Sequence, residues 1–418
     1  MKSQGAGPVT DILMASAIAI VAAVVAWHVY GLFDASAIGA ETWFQSDMIR
    51  VRHVLVDRYS RDHGTSSMHP LFALVNTTAF YGLMRLFGLT ADMAIRLWVS
   101  GTAAALGVVC YAAARLVWAA WLDAALTALL LVSSSAFLFW ASVPETRTTG
   151  AITMLVCVLA AAWAARRSLP DWLITVAAAT SLSMTLSNFM AGLILLALLR
   201  KPSRAVQLAI NAFFIVSVLQ FVQHTIFPYA QGMTTMQSQT RFLLDPSAGT
   251  TLDKARVLLS HSVVMPEIQT PIEFDTHLPM VSVQRSHLFS TGALGAVATG
   301  LWVVVLGWGV ATAARDFTTS VAVRLLLLTA MAQAAFHLVY GDQTFLYSLH
   351  YVPLFALLAG YTATSRQRTL SRLLLCATIL TTAWNNVAQV RTTSRILTDL
   401  ARTGPTQSLI PEGAPHAP

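Results

Sequence analysis

The sequence predicts an all-α, polytopic integral membrane protein with about 11 transmembrane helices, plus juxtamembrane helices in the first outer loop. Three observations predict it. Of the 418 residues, 56% are hydrophobic and only 11% charged, against roughly 25% charged in a soluble domain. Apolar runs of about 17–25 residues recur along the chain, each able to cross a hydrocarbon core of about 30 Å. The basic residues, which give a net charge of +7, fall in small groups between these runs, as a topology signal does. Scattered in this way they exclude a nucleic-acid partner.

The first run covers residues 11–33. Lys2 and the "DASAIGA" that follows the run imitate a signal peptide, but about 22 apolar residues exceed the usual 7–15 residue core of one, so an uncleaved first helix is expected. Further spans are expected at 93–117, 121–140, 148–165, 171–186, 188–199, 205–226, 290–314, 320–340, 348–364 and 369–388. The pair 171–186 and 188–199 is short, with Asn188 between its two runs. Residues 69–88 are apolar but interrupted by Asn76, Thr77, Thr78 and Tyr81. If that segment skims the surface, Arg115, Arg166, Arg200, Arg315 and Arg366 all fall on the cytoplasmic side; if it crosses, they all move outside. The positive-inside rule selects skimming.

This topology gathers polar chemistry on the outer face. It divides the chain into a transmembrane module over 1–226 with a first outer loop at 34–92, a long outer loop at 227–289, C-terminal helices at 290–388, and a Pro/Gly-rich tail at 389–418 expected to be disordered. A transporter needs polar groups along a path through the midplane; here only Asn188 and His337 offer any. Cys110, Cys157 and Cys376 lie inside apolar runs without ligand spacing and read as packing residues.

The first outer loop carries "ETWFQSDMIRVRHVLVDRYSRDHGTSSMHPLF", residues 41–72, a concentration of charge in a greasy chain. Trp43 and Phe44 suit the headgroup level. From Asp47 onward, Met48, Val51, Leu55 and Tyr59 recur at helical spacing, which predicts an interfacial amphipathic helix over 48–62. Asp47 at its start is either a cap or a functional carboxylate. Ser66 or Ser67 can cap a helix beginning near Pro70, leaving His69 at a helix N-terminus beside arginines, a phosphate-binding arrangement. Glu145 in "VPETRT" is an ion-pair partner of Arg147 or an orienting group. Tyr347 and His350, one turn apart, are belt residues or phosphate contacts. In the long loop, Glu273, Asp275 and His277 alternate, as on one face of an extended segment, and with Arg285 can cover a site or grip an acceptor.

A first spanning helix, an outer loop with an acidic residue, and "HPLF" opening a juxtamembrane helix resemble the GT-C superfamily of membrane glycosyltransferases, which includes protein O-mannosyltransferases and the lipid A aminoarabinose transferase. "GLTADMAIRLWVSGTAAALGVVCYAAARLV" (88–117) and "SSSAFLFWASVPETRTTGAITML" (133–155) are similar to that superfamily's second span and to its return to the outer face with a second acidic residue. The resemblance covers about residues 11–200, and beyond them "FLYSLHYVPLFALLAGY". It implies a sugar transferred from a polyprenyl-phosphate donor to a glycan, lipid or protein hydroxyl, with inversion. The topology puts this at the outer, periplasmic face, and the short cytoplasmic turns and Ala/Leu/Val/Arg-rich composition suggest a bacterial inner membrane. Asp47 takes the place of the catalytic carboxylate, Glu145 that of the second acidic residue, and His69 that of a group near the donor phosphate. Arg50, Arg58, Arg61, Arg147, Tyr347 and His350 complete the pool for the phosphate. The superfamily's paired Asp-Glu is Ser46-Asp47 here, so a divalent metal is not supported and no cofactor is expected. The alternatives are a flippase of lipid-linked glycans and a non-catalytic assembly partner.

Overall fold

Apolar runs with no water to satisfy their backbone must close their hydrogen bonds internally, and helices do so. The computed structural model describes residues 7–33, 42–118, 120–235, 242–243, 249–272, 279–341 and 343–403, and helices dominate it. In order they are α1 (Pro8–Leu32), α2 (Met48–Val56), α3 (Thr78–Phe87), α4 (Ala91–Val117), α5 (Trp121–Ser133), α6 (Ser135–Trp140), α7 (Arg147–Ala164) and α8 (Asp171–Met184). Then come α9 (Phe189–Leu199), α10 (Pro202–Ile226), α11 (Thr251–Arg256), α12 (Gly292–Arg315), α13 (Val321–Val339), α14 (Val352–Gly360) and α15 (Arg368–Thr403). Among the described residues only isolated bridges, and no β-strands, accompany them.

All eleven expected segments are helical, but not all have the length of a span. Among the described residues seven helices are long and apolar enough to cross a membrane, and an eighth forms if Thr344–His350 and Val352–Thr364, bent by 56°, count as one. Residues 121–140 are two helices, broken at Ser134, whose hydroxyl caps the second by accepting from Phe137 N at 3.2 Å. The α8–α9 pair is a hairpin of half-length helices; the 14 residues of α8 reach only about 21 Å. Its arms pack so closely that a Cβ on Gly192 would lie 2.9 Å from Ala178 Cα. The stretch 69–88 also falls short of a span. It makes a π-type turn at Ala73–Thr77 and then α3, which stops at Gly88 with a left-handed φ of 63°.

Three expectations need correction. The amphipathic helix predicted over 48–62 ends at Val56, so Val54 joins Met48, Val51 and Leu55 in the core while Tyr59 stays exposed. The last helix continues through residues 389–403, a stretch for which the composition predicts disorder; residues 404–418 lie outside the described part. The loop 227–289 is not wholly a surface loop. Its segment 257–268 sinks into the bundle, with Val257, Leu258, Val263 and Met265 almost fully buried.

That buried segment mends the α5–α6 break. Ser135 N and Ala136 N donate to the carbonyls of Val263 and Ser262 at 3.0 and 2.9 Å. Asn386 on α15 donates to Ser133 O and Val263 O, at 2.9 and 2.7 Å, and accepts from Met265 N at 2.8 Å. An open helix end inside an apolar bundle thus has its backbone groups paired.

The end of the bundle where α4 closes and α5, α8 and α15 begin is fastened by ion pairs. Asp11 meets Arg115 at 2.6 Å, Asp171 meets Arg200 at 2.6 Å, and the buried Asp123 holds both Arg368 and Arg372. The opposite end carries the sequence-predicted site.

Candidate functional site

The residues before Asp47 set its position. Phe44 and Gln45 both take a left-handed backbone, with φ of 50° and 54°, which costs about 1–2 kcal/mol per residue for a side chain with a Cβ. Packing holds this strained turn in place. Trp43 stacks on Phe139 at 5.6 Å, Phe44 lies 5.0 Å from Phe345 and 5.7 Å from Trp140, and Trp140 Nε1 donates to Phe345 O. Val281 N adds a bond to Thr42 O. Trp43 and Phe44 are therefore core residues, fully buried, and not headgroup anchors. Their interleaving with α6 and with Thr344–His350 is what no local pattern announces.

The turn delivers Asp47 to the N-cap position of α2 without using its side chain as a cap. Its side chain makes no capping bond; it is about one-third exposed and meets Arg50 at 2.9 Å. Its backbone N–H donates instead to Glu145 Oε1 at 3.0 Å. Glu145 is fully buried, its other oxygen accepting from Thr146 N at 3.1 Å and from Arg147. Burial lifts the Glu145 carboxyl above its usual range, while the Arg147 guanidinium pulls it back. Arg147 lies over the rings of Trp140 and Tyr347, at 5.4 and 5.7 Å, and its Nε has no partner among the described residues. The ion pair with Arg147 expected from the sequence is present, and Glu145 also fixes the backbone that carries Asp47.

His69 arrives on a segment stitched to α10. Gln220 donates to Ser66 O at 3.1 Å, while Gln223 donates to Pro70 O at 2.9 Å and accepts from Leu74 N at 2.8 Å. The tip of the half-length α8–α9 hairpin receives the segment from below: Leu71 N donates to Ser183 O, and His69 Nδ1 to Met184 O at 2.9 Å. The expected cap is absent. Ser66 binds the backbone of Gln231 and Ser67 donates to Gly64 O, so His69 sits on a turn and not at a helix N-terminus. Burial drives a proton off the half-buried His69, and with Nδ1 facing a carbonyl the neutral ring keeps its lone pair on Nε2.

Other predicted residues are placed differently. Arg58 donates to Ile226 O at 2.6 Å, at the end of α10, and Arg61 is exposed. Arg285 is exposed, and Glu273, Asp275 and His277 lie outside the described residues. The chain flanking those three is paired, Gln269 with Ser282 and Ile272 with Pro279. His350 binds Asn188 at 2.8 Å and is almost fully buried. Sequence reasoning missed two features. Arg52 pairs with Asp92 at 2.6 Å, beside a small cavity of about 40 Å³ lined by Tyr30, Phe33, Met48 and Pro144. Gln333 donates to Asn188, and its place in the run of α13 gave no sign of it. Among the described residues no three His, Cys, Asp or Glu side chains are grouped to hold a metal ion.

A multi-pass helical membrane protein with two acidic positions bonded together at one end of its bundle is a narrow class. No family model and no curated protein matches the sequence. Among solved structures the chain is similar to ArnT from Cupriavidus metallidurans bound to undecaprenyl phosphate, with a TM-score of 0.52 at 14% identity, over 94% of this chain and 72% of that one. An Archaeoglobus fulgidus oligosaccharyltransferase tethered with an acceptor peptide aligns over 90% of this chain and 55% of its own, at 11% identity and a TM-score of 0.49. The chain shares its fold with that ArnT structure.

Proposed function

We propose that this chain is an integral membrane glycosyltransferase that moves a sugar from a polyprenyl-phosphate donor to an acceptor hydroxyl. The reaction takes place at the outer face of a bacterial inner membrane. The observation that carries the reading is the bond from Asp47 N–H to the buried, arginine-paired Glu145. It unites the carboxylate of the first outer loop with the second acidic position and a cation.

Each group then has a task. Asp47, spared from capping and open to solvent, takes the acceptor hydroxyl proton as that oxygen attacks the anomeric carbon. Arg50, on the exposed side, releases the carboxylate when the acceptor arrives. As the bond to phosphate breaks, charge grows on the phosphate, and Arg147 stabilises it from a site already stripped of water. His69 takes a proton back when the phosphate is beside it. A single displacement inverts the anomeric centre, since among the described residues no second carboxylate stands free beside Asp47 to form a glycosyl-enzyme intermediate. The bilayer holds the prenyl tail; the acceptor is a glycan, lipid or protein.

The test compares wild type with Asp47→Asn at matched expression, following sugar transfer from a native polyprenyl-phosphate donor pool. Transfer is expected to fall by roughly 10²–10⁴-fold with melting temperature unchanged. Undiminished transfer would remove Asp47 from the mechanism and the reading with it.

A further inference from the structure

The turn between α8 and α9 directs the side chain of Asn188 into the bundle, where it is fully buried. Its Nδ2 donates to Gly150 O at 2.9 Å. A carbonyl oxygen only accepts, so the amide is fixed with Oδ1 turned the other way. There Oδ1 accepts from Gln333 Nε2 at 3.2 Å and meets His350 Nδ1 at 2.8 Å. His350 must therefore donate from Nδ1. In an uncharged ring the lone pair is then on Nε2, an atom with no hydrogen-bonding partner among the described residues.

A second observation points to a polar guest. Beside His350 stands His337, its ring centroid 5.8 Å away and edge-on, stacked at 4.9 Å on Tyr347. His337 is fully buried, and among the described residues neither of its nitrogens has a partner; Gln333 Oε1 and Ser348 Oγ are also buried without one. Each unsatisfied group costs about 1–3 kcal/mol, and a core gains nothing by keeping them. Arg147 lies over the same Tyr347 ring on which His337 stacks.

We propose that His350 offers Nε2 as an acceptor to a substrate hydroxyl, and that Asn188 is the positioning residue that holds the ring in this tautomer. The proposal rests on the glycosyltransferase reading and deepens it. A lone pair attracts an O–H and repels a phosphate oxygen, so His350 reads a hydroxyl and leaves the phosphate to Arg147. The site then prefers a substrate carrying a hydroxyl at this point over its deoxy counterpart.

Nitrogen-15 spectra of histidine-labelled full-length protein in nanodiscs test the tautomer without any substrate, with the His350→Asn spectrum assigning the signal. A protonated Nδ1 and a bare Nε2 are expected, and Asn188→Ala should turn them into a mixture. A wild-type ring protonated at Nε2 overturns the proposal. Transfer assays test the role. Asparagine at 350 keeps an amide where Nδ1 was, and glutamine puts one where Nε2 was. His350→Gln should therefore outperform His350→Asn by roughly 10- to 100-fold, with both variants melting like wild type. Equal transfer by His350→Asn and wild type overturns the proposal. A raised KM for the lipid-linked donor in His350→Gln assigns the hydroxyl to the transferred sugar, and a raised KM for the acceptor assigns it to the acceptor. If wild type transfers nothing, the glycosyltransferase reading fails and takes the substrate half of the proposal with it, while the nitrogen spectra still decide the tautomer.

Discussion

The two ends of this bundle treat their polar groups in different ways. At one end Asp11, Asp123 and Asp171 each meet one or two arginines that reach back toward solvent, and Tyr111 and Tyr361 add hydroxyls to Asp11 and Asp316. At the other end the Glu145–Arg147 pair is sealed from solvent, and Arg147, Gln333, His337 and Ser348 all keep buried atoms without partners among the described residues. The first arrangement only fastens helices. The second combines a sealed ion pair with two residues of left-handed backbone, which a purely structural end has no reason to keep. Unpaired buried atoms alone do not mark it, since Trp118 Nε1 and Ser365 Oγ lie at the fastening end.

The contrast can be broken most forcefully at Arg147. Arg147→Met strands the Glu145 charge in the core and should destabilise the protein by about 3–5 kcal/mol, abolishing transfer as well. Glu145→Gln/Arg147→Met should recover much of the melting temperature and none of the transfer. A double variant that transfers normally would make the pair a mere fastener like those at the far end.

At the fastening end, Asp123→Asn should cost about 1–3 kcal/mol, because the carboxylate is buried while Arg368 and Arg372 are one-third exposed or more. Transfer per folded molecule should not change. A loss of transfer at unchanged folding would mean that the two ends communicate.

Acid should find the site end first. Burial holds His69 and His63 below the ordinary histidine value, so the unfolded chain takes up protons before the folded one does. Stability is therefore full above about pH 6.5 and falls as pH drops through the window down to the depressed values, with a slope of at most about 1.4 kcal/mol per pH step of one for each histidine. Melting temperature followed from pH 8 to pH 5 should show this slope, and His63→Gln should flatten it. The smallest effect is expected at Arg50→Ala. Its pair with Asp47 is exposed, so stability should change by under about 1 kcal/mol, while the KM for the acceptor shifts.

How much of this is legible in the sequence follows from the range over which each feature is built. Apolar runs are local, and all eleven prove helical. Asp47, Glu145 and Arg147 stand out because charge is scarce in such a chain. Trp43 and Phe44 mislead, since a headgroup anchor and the core of a strained turn have the same composition; only Phe139, Trp140 and Phe345 decide between them. "VLLSHSVVMPEI" (257–268) reads as part of a loop because it is too short to span. Its burial depends on Asn386, far along the chain. Asn188 shows in the sequence as a break, but its orientation depends on Gly150, Gln333 and His350 together. A Cβ on Gly150 would lie 3.2 Å from Asn188 Nδ2, a constraint visible only in three dimensions.

The mended break between α5 and α6 also sets a timetable for biogenesis. Ser133 to Ala136 leave the ribosome long before the carbonyls of 262–263, and Asn386 follows Ser133 by 253 positions. Until that last helix is inserted, the exposed backbone of the break needs water or a chaperone in the membrane, and α6 cannot settle against Phe44. The strained turn that carries Asp47 is therefore expected to settle only when synthesis is nearly complete.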